Sequence, residues 1–495
     1  MPTDPILHLN DIQGDVLEGL QKNSENFIFF KIADVAAFKH AMKTHVIPLI
    51  TTAAVVHQRE FINEQRKKLH QPILERWLGL NVSFTKDGMT ELLGTSRPQL
   101  VVQKNGNSDN HFELGADDPA VISGLNDPPK TSWLPQFISD RIDGVFLLTG
   151  PDHDFVDRHS QLLLGHLGNS IVVVYSEIAN VRPDSEKGHE HFGFLDGVSQ
   201  PGVRGLTRRR NPTIKPDQGL PGQDLLWPGE FVFGYPGQSP TDDTAQGNPP
   251  TLPVSWSANS SFMVFRRLEQ KVPEFNTFVA AQATALGMTP ELLAARMVGR
   301  WRSGAPMELA PLQDNPALGN DNLENNDFQF GGDPFQRLCP YAAHIRKAYP
   351  RDDFPGGDEA PVQIHRIIRA GIQFGPEVDK NETTTTTSRG LMFVCYQTSI
   401  TDQFEFIQSQ WVNNPGFIFG KSRPVGGGGG PVRPGFDTII GQAAGGGPRD
   451  MDGPVPNYPT GDTRSALHVP AQFVVLTAAA YFYVPSMTAL HSVLT

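Results

Sequence analysis

Periodicity predicts an α+β protein built from two ferredoxin-like βαββαβ modules, residues 1–250 and 251–495. Three observations carry this. Short apolar or β-branched runs alternate with stretches of helical period along most of the chain. A strand–helix pair at 27–44 has a counterpart at 261–286, and a pair at 145–167 has one at 391–412, at similar offsets. A polar stretch rich in Pro and Gly at 203–260 separates the two series, as a functional loop or a domain border would.

The first series opens with a lead-in holding a short helix around Ile12 to Leu20. Asn26 to Ile32 reads as a strand, and Asp34 caps a helix running to Thr44. Residues 58–79 are charged and helix-forming, Asn81 to Phe84 is a strand, and 103–135 is turn-rich. Asp143 to Gly150 is a strand, Asp154 to Leu167 an amphipathic helix, and Ile171 to Tyr175 a β-branched strand. The second series has a strand at Ser261 to Arg266 and a helix at Val272 to Leu286. Another helix is capped by Thr289 with Pro290 in its first turn. A strand at Leu391 to Tyr396 and a helix at Asp402 to Val412 follow. Two late strands are expected at Phe473 to Leu476 and Ala480 to Val484. Thr383 to Thr387 and Gly426 to Gly430 read as flexible surface loops.

Composition narrows the function. A net charge of −12 argues against a nucleic-acid partner, and a basic run as short as Arg208 to Arg210 does not change that. No apolar run is long enough to span a membrane, so a soluble protein without a membrane partner is expected. The N-terminus carries no secretory signal, which fits a cytosolic protein or a mature form without its leader. Cys339 and Cys395 are the only cysteines and read as free thiols. Asn81, Asn259 and Asn381 open N-glycosylation triplets.

Three segments carry chemistry. In Gly188 to Gly202, Gly193 and Gly197 bracket Phe194-Leu195-Asp196, so Asp196 is either a solvated turn residue or a carboxylate aimed into an apolar pocket. His189, Glu190 and His191 could form a metal fork, though two imidazoles are too few ligands for a stable site. His344 follows Ala342-Ala343, which leaves room for a flat partner. Arg346, Lys347 and Arg351 beside it could bind carboxylates; a helix-face histidine with solvated cations is the competing reading. Arg369 stands among Ile and Gly before Phe374-Gly375, as a pocket cation or a structural ion-pair partner.

Taken together, Asp11-Ile12-Gln13-Gly14-Asp15-Val16-Leu17, Gly193 to Gly197, Ala342 to Lys347 and Arg366 to Arg369 with Phe374-Gly375 resemble the dye-decolourising peroxidases, in their fungal-type order and spacing. The resemblance covers most of the chain. It implies a dimeric α+β barrel of two ferredoxin-like modules with haem b held mainly by the second. It also implies Asp196 as distal acid–base residue, Arg369 as its partner and His344 as the proximal iron ligand. Arg346 is implied as a propionate contact, with Phe194 and Gly197 in the haem pocket. Trp411 resembles the surface radical site of the fungal members. Phe374 stands where some relatives have tyrosine, so a tyrosine relay must come from elsewhere, such as Tyr341, Tyr349 or Tyr396. Hydrogen peroxide, dyes and phenols are the implied substrates.

Asp352, Asp353, Asp358 and Glu359 offer hard oxygen ligands that suit surface Mn²⁺. Asp402 or Glu405 is the expected hydrogen-bond partner of His344. An aspartate base, with an ordinary pKa of about 3.9 against about 6.5 for histidine, points to activity that persists in acid. The alternatives are a haem-handling protein without peroxidase turnover and a non-haem metal protein built on residues 189–191. The acidic charge and the triplets favour secretion over a cytoplasmic location. The sequence leaves the oligomeric state open.

Overall fold

The computed structural model describes residues 3–73, 77–419, 421, 433–456 and 466–495. Its main sheet has nine strands: β1 Ser24–Ile32, β2 Gly79–Phe84, β3 Gly144–Gly150, β4 Ile171–Asn180, β5 Ser261–Gln270, β6 Ile368–Arg369, β7 Ile372–Phe374, β8 Gly390–Gln397 and β9 Val474–Val484. Their order is β6-β8-β5-β9-β2-β3-β1-β4, with β7 also on β8. All pairings in this sheet are antiparallel. β7 lies beside β4, which brings the two ends of the sheet together into a barrel.

Each half follows the expected βαββαβ plan. Helix α1 (Val35–Ala41) joins β1 to the β2–β3 pair, and α2 (His153–Leu167) joins β3 to β4. In the second half α3 (Val272–Leu286) follows β5, and the wide helical segments Ile400–Glu405 and Ile407–Val412 precede β9. Local chemistry sets the ends. Asp34 accepts the Ala37 N–H at the start of α1, and Asp152 accepts the Phe155 N–H at the start of α2. Thr289 accepts the Leu292 N–H at the start of α4 (Pro290–Val298). Most of the strands are buried on both faces because side chains fill the barrel inside and helices cover it outside; β4 is the exception, with Val172 and Val173 exposed. Phe29 of β1 lies 4.9 Å from Phe265 of β5 and 6.3 Å from Phe482 of β9, centroid to centroid, so one aromatic cluster spans both halves.

Three expectations change. β9 is one strand, not two, with a bulge between Leu476 and Ala478; the intervening Thr477 gives its carbonyl to Leu134 N. The helix expected at Ile12 to Leu20 is a series of turns. There the Gln13 amide donates to Val82 O and to Pro485 O, both at 2.9 Å, and its oxygen accepts Val82 N–H. The Asp15 carboxylate accepts Leu20 N–H and the Tyr396 hydroxyl. These side chains consume the hydrogen-bonding capacity of neighbouring segments, so the lead-in is bound across the barrel instead of coiling on itself. Thirdly, the threonine tract is not wholly loose: Thr385 is tied to Glu274 through its N–H and its hydroxyl. The glycine run 426–430 lies outside the described residues.

The seam between the halves is thin, since β9 and β2 share one register pair, Tyr483 with Phe84. Gln13 staples that seam. Gln13→Ala leaves three buried backbone groups without partners and lowers the unfolding free energy by about 2–4 kcal/mol. Urea denaturation measures this; a loss under about 0.5 kcal/mol would contradict the staple.

Candidate active site

The loop at 188–202 owes its shape to one carboxylate. Glu190 accepts the N–H groups of Phe192 and Phe194, each at 2.8 Å, and the Gln270 side-chain amide. Burial pushes its carboxyl above the usual range, and these donors oppose that shift. Gly193 at φ +91° and Gly197 at φ +76° take backbone conformations that L side chains rarely adopt. The turn therefore closes within a few residues and carries Asp196 to a cavity wall. Arg369 donates from Nη1 to Asp196 Oδ1 at 3.2 Å and from Nη2 to Ser199 O at 2.9 Å. Gln200 grips the Arg369 backbone by both its N–H and its carbonyl, which fixes β6 against the loop.

The same wall includes His344, the first residue of helix α5 (His344–Ala348). Its Nδ1 lies 2.7 Å from Asp437 Oδ2. Asp437 is fully buried, and its Oδ1 accepts the N–H groups of Ile439 and Ile440. Burial works against charge on the imidazole, and the Asp437 carboxylate outweighs it, so His344 sits above its ordinary value. With the proton on Nδ1 shared toward Asp437, Nε2 is the nitrogen left for a ligand. The partner is thus Asp437, not Asp402, which accepts from Asn107, nor Glu405, which pairs with His111.

The cavity, of about 280 Å³, is apolar over most of its surface, with Phe194, Leu268, Phe330 and Phe393 among its walls. Its charged exceptions include Arg300, Arg351 and Arg366. Arg300 and Arg351 are 5 % and 3 % exposed, and neither has an ion pair among the described residues. Both hydrogen-bond to backbone carbonyls and to the Asn326 side-chain oxygen. Burial, with Arg351 as a neighbouring like charge, pushes Arg300 down to about 9. Arg366 meets Asp224 at only 3.5 Å. Such cations are costly without an anion, so the cavity suits a flat apolar ligand bearing carboxylates.

Of the expected site residues, Asp196, Arg369, His344, Phe194 and Gly197 all line this cavity. Arg346 does not. Its guanidinium is wholly buried between Asp333 and Asp353 and donates to Cys339 O, so it is a structural cation with no capacity left for a ligand. Trp411 is 1 % exposed, not on the surface, because Phe354, Phe406 and Phe417 enclose it. The acidic set meant for Mn²⁺ is already engaged. Asp353 holds Arg346, Asp352 accepts the N–H groups of Phe330 and Gly331, Asp358 caps Ala360, and Glu359 accepts from Gln329 and Gln363. No cluster of three His, Cys, Asp or Glu able to hold a metal occurs among the described residues, which also removes the fork at residues 189–191. Cys339 and Cys395 are free and buried, as expected.

A histidine backed by a carboxylate and an acid–arginine pair, meeting in one apolar cavity edged by unpaired cations, define a site for an iron porphyrin. Comparisons with known proteins agree. A family model described as the DyP dimeric alpha+beta barrel domain matches residues 11–183, and one for the C-terminal region of Dyp-type peroxidases matches 250–417. The chain is 38 % identical to a dye-decolorizing peroxidase of Mycena epipterygia, over 99 % of this chain and 88 % of that one. It is similar to the solved structure of an ancestral D-type dye decolorizing peroxidase, with a TM-score of 0.82, 39 % identity and coverage of 99 % and 100 %. A dye-decolorizing peroxidase solved in complex with 2,6-dimethoxyphenol gives a TM-score of 0.79, 35 % identity and the same coverage. The chain belongs to the dye-decolourising peroxidase family. It is therefore a haem-dependent peroxidase.

Sequence reasoning missed Asp437, Arg300 and Arg366 as parts of the site; of the three cations it placed beside His344, Arg351 lines the cavity, whereas Arg346 and Lys347 do not. His191 is 4 % exposed, its Nε2–H donates to Phe374 O, and burial pushes its pKa down to about 4. The unfolded chain takes up this proton near pH 6.5 while the folded chain resists. His191 thus supports stability fully above about pH 6.5, and that support, about 3 kcal/mol, is lost as pH falls to about 4. His191→Gln flattens this part of a stability–pH profile. Equal slopes in both proteins would contradict the buried neutral imidazole.

Proposed function

We propose that the cavity binds haem b and that the protein uses hydrogen peroxide to oxidise dyes, phenols and other aromatic reductants by one-electron steps. The observation that carries this reading is the pairing of Asp196 with Arg369 in the wall of the cavity that His344 also lines. The residues fit the group: His344 Nε2 would supply the iron ligand, the apolar walls would take the macrocycle, and Arg300, Arg351 and Arg366 are the cations that would meet its propionates. Bound haem supplies an iron that reacts with peroxide and stores its two oxidising equivalents.

The chain's own part is proton handling and charge placement. Asp196 Oδ1 is held by Gly197 N–H and Arg369, and Oδ2 has no hydrogen bond among the described residues. Asp196 takes a proton from one peroxide oxygen and returns it to the other as the O–O bond breaks, releasing water. Arg369 holds that carboxylate in place and stabilises the negative charge on the departing oxygen. Asp437 orients His344 and raises its donor strength toward the iron. A haem-handling protein without turnover would need His344 and the arginines but not the Asp196–Arg369 pair, so peroxidase chemistry is the better reading. The phenol bound by the solved relative supports phenols as reductants here.

We also place the protein outside the cell, on its net charge of −12 and one usable glycosylation triplet. Asn81 is buried in β2 and the Asn259 amide is bound to Asp11 and Tyr235, whereas Asn381 is exposed.

Asp196→Asn keeps the shape of the loop and the haem stoichiometry, but slows the reaction with peroxide by about 10²–10⁴-fold. Stopped-flow absorbance at the Soret band measures this; unchanged kinetics in the variant would overturn the role of Asp196.

A further inference from the structure

We propose that Tyr349 is an oxidation relay in the cavity wall, with Asp224 as the base that takes its proton. The proposal rests on the haem reading above and adds a route by which electrons reach the cavity from reductants too large to enter it.

Eight tyrosines occur in the chain. Two conditions select a relay: contact with the cavity, and a base within hydrogen-bond reach of the phenol. Tyr349 alone among the described residues meets both. It lines the cavity, and its hydroxyl donates to Asp224 Oδ2. Gln363 Nε2 donates to the same Asp224 oxygen at 3.1 Å and holds the carboxylate in place. Tyr341 points its hydroxyl at the Pro334 carbonyl, which is no base. Tyr396 donates to Asp15 inside the barrel and is not part of the cavity wall. Phe374, which follows Arg369 on the next short strand β7, has no phenolic proton to lose.

The electron count is simple. With haem bound and oxidised by peroxide, the Tyr349 ring would give it one electron; the phenolic O–H bond would break, and the proton would pass to Asp224 Oδ2. A neutral phenoxyl radical and a protonated Asp224 result. An external aromatic reductant then gives one electron to Tyr349, and the proton returns from Asp224. The surroundings enforce the coupling. The Arg366 guanidinium carbon lies 3.6 Å from the Tyr349 ring centroid and that of Arg351 lies 5.0 Å away. Two cations over the ring penalise a charged radical, so the proton must leave with the electron. Asp224 keeps 19 % of its side chain exposed, and Tyr349 packs on the buried cluster that contains Trp411. The relay therefore reaches from the cavity wall toward solvent on one side and toward a second oxidisable ring on the other.

The test is freeze-quench, high-field electron paramagnetic resonance on the holoenzyme mixed with one equivalent of peroxide and no reductant. The wild type is expected to show a tyrosyl radical with the g-tensor of a hydrogen-bonded phenoxyl. Tyr349→Phe loses that signal, whereas Tyr341→Phe keeps it. Asp224→Asn, which preserves volume and removes the base, slows radical formation by about 10²-fold and shifts the g-tensor. A signal of unchanged yield and shape in Tyr349→Phe overturns the proposal. If that variant does not fold, a wild-type radical without a strong hydrogen bond, or one unaltered in Asp224→Asn, overturns it equally. A wild type that reacts with peroxide at the Soret band but forms no tyrosyl radical defeats the relay alone. A wild type that binds no haem defeats the reading beneath it as well.

Discussion

Two buried guanidinium groups, Arg300 and Arg351, have no carboxylate to neutralise them among the described residues, and both edge the same apolar cavity. Backbone carbonyls and the Asn326 oxygen solvate them in part. A polypeptide rarely keeps such charges buried without an anion to complete the site. The cavity is thus built around a guest that supplies negative charge at its edge and apolar surface across its middle. Such a ligand would stabilise the fold by closing an electrostatic gap that the chain leaves open.

Around that guest the carboxylates divide by task. Glu190 is spent on the backbone: it accepts two N–H groups of the loop and so determines where Asp196 stands. Asp437 is spent on His344, and its second oxygen on two further N–H groups, which keeps it an acceptor and fixes the imidazole plane. Asp196 is only partly engaged, at 34 % side-chain exposure, and keeps one oxygen without a hydrogen bond. Asp353 and Asp333 serve Arg346, a structural cation buried behind the site. Burial alone does not mark the reactive acid. The partly committed carboxylate is the one with capacity for proton transfer.

Much of this was legible in the sequence, for local reasons. The βαββαβ order follows from period and from cap residues, and Asp34, Thr289 and Pro290 all act as their types predict. Asp196, Arg369 and His344 each sit in a short segment whose neighbours already suit the task, glycines for a tight turn and alanines for close approach. What sequence reasoning lost depends on long-range pairing. Asp437 is 93 positions from His344, and nothing in the spacing connects them. Arg346 and Arg300 look alike as arginines in a sequence. One meets Asp353 and the other meets carbonyls, and only the folded contacts decide which is free for a ligand. Trp411 lies at the end of an amphipathic segment, where period alone does not reveal that Phe417 and Phe354 cover it. The split of β9 was misread because Thr477 to Ala479 lack bulky apolar groups, although the backbone pairs through them with one bulge.

The most direct test of a cavity completed by a dianionic guest compares two ligands of nearly equal size. The protein is reconstituted with haem and, separately, with haem whose propionates are blocked as the dimethyl ester, and both affinities are measured by absorbance titration. The unpaired arginines predict that haem binds about 10²–10⁴-fold more tightly than the ester, as expected for the loss of two charge-assisted contacts. Equal affinities would show that Arg300 and Arg351 do not face the propionates and would contradict the account.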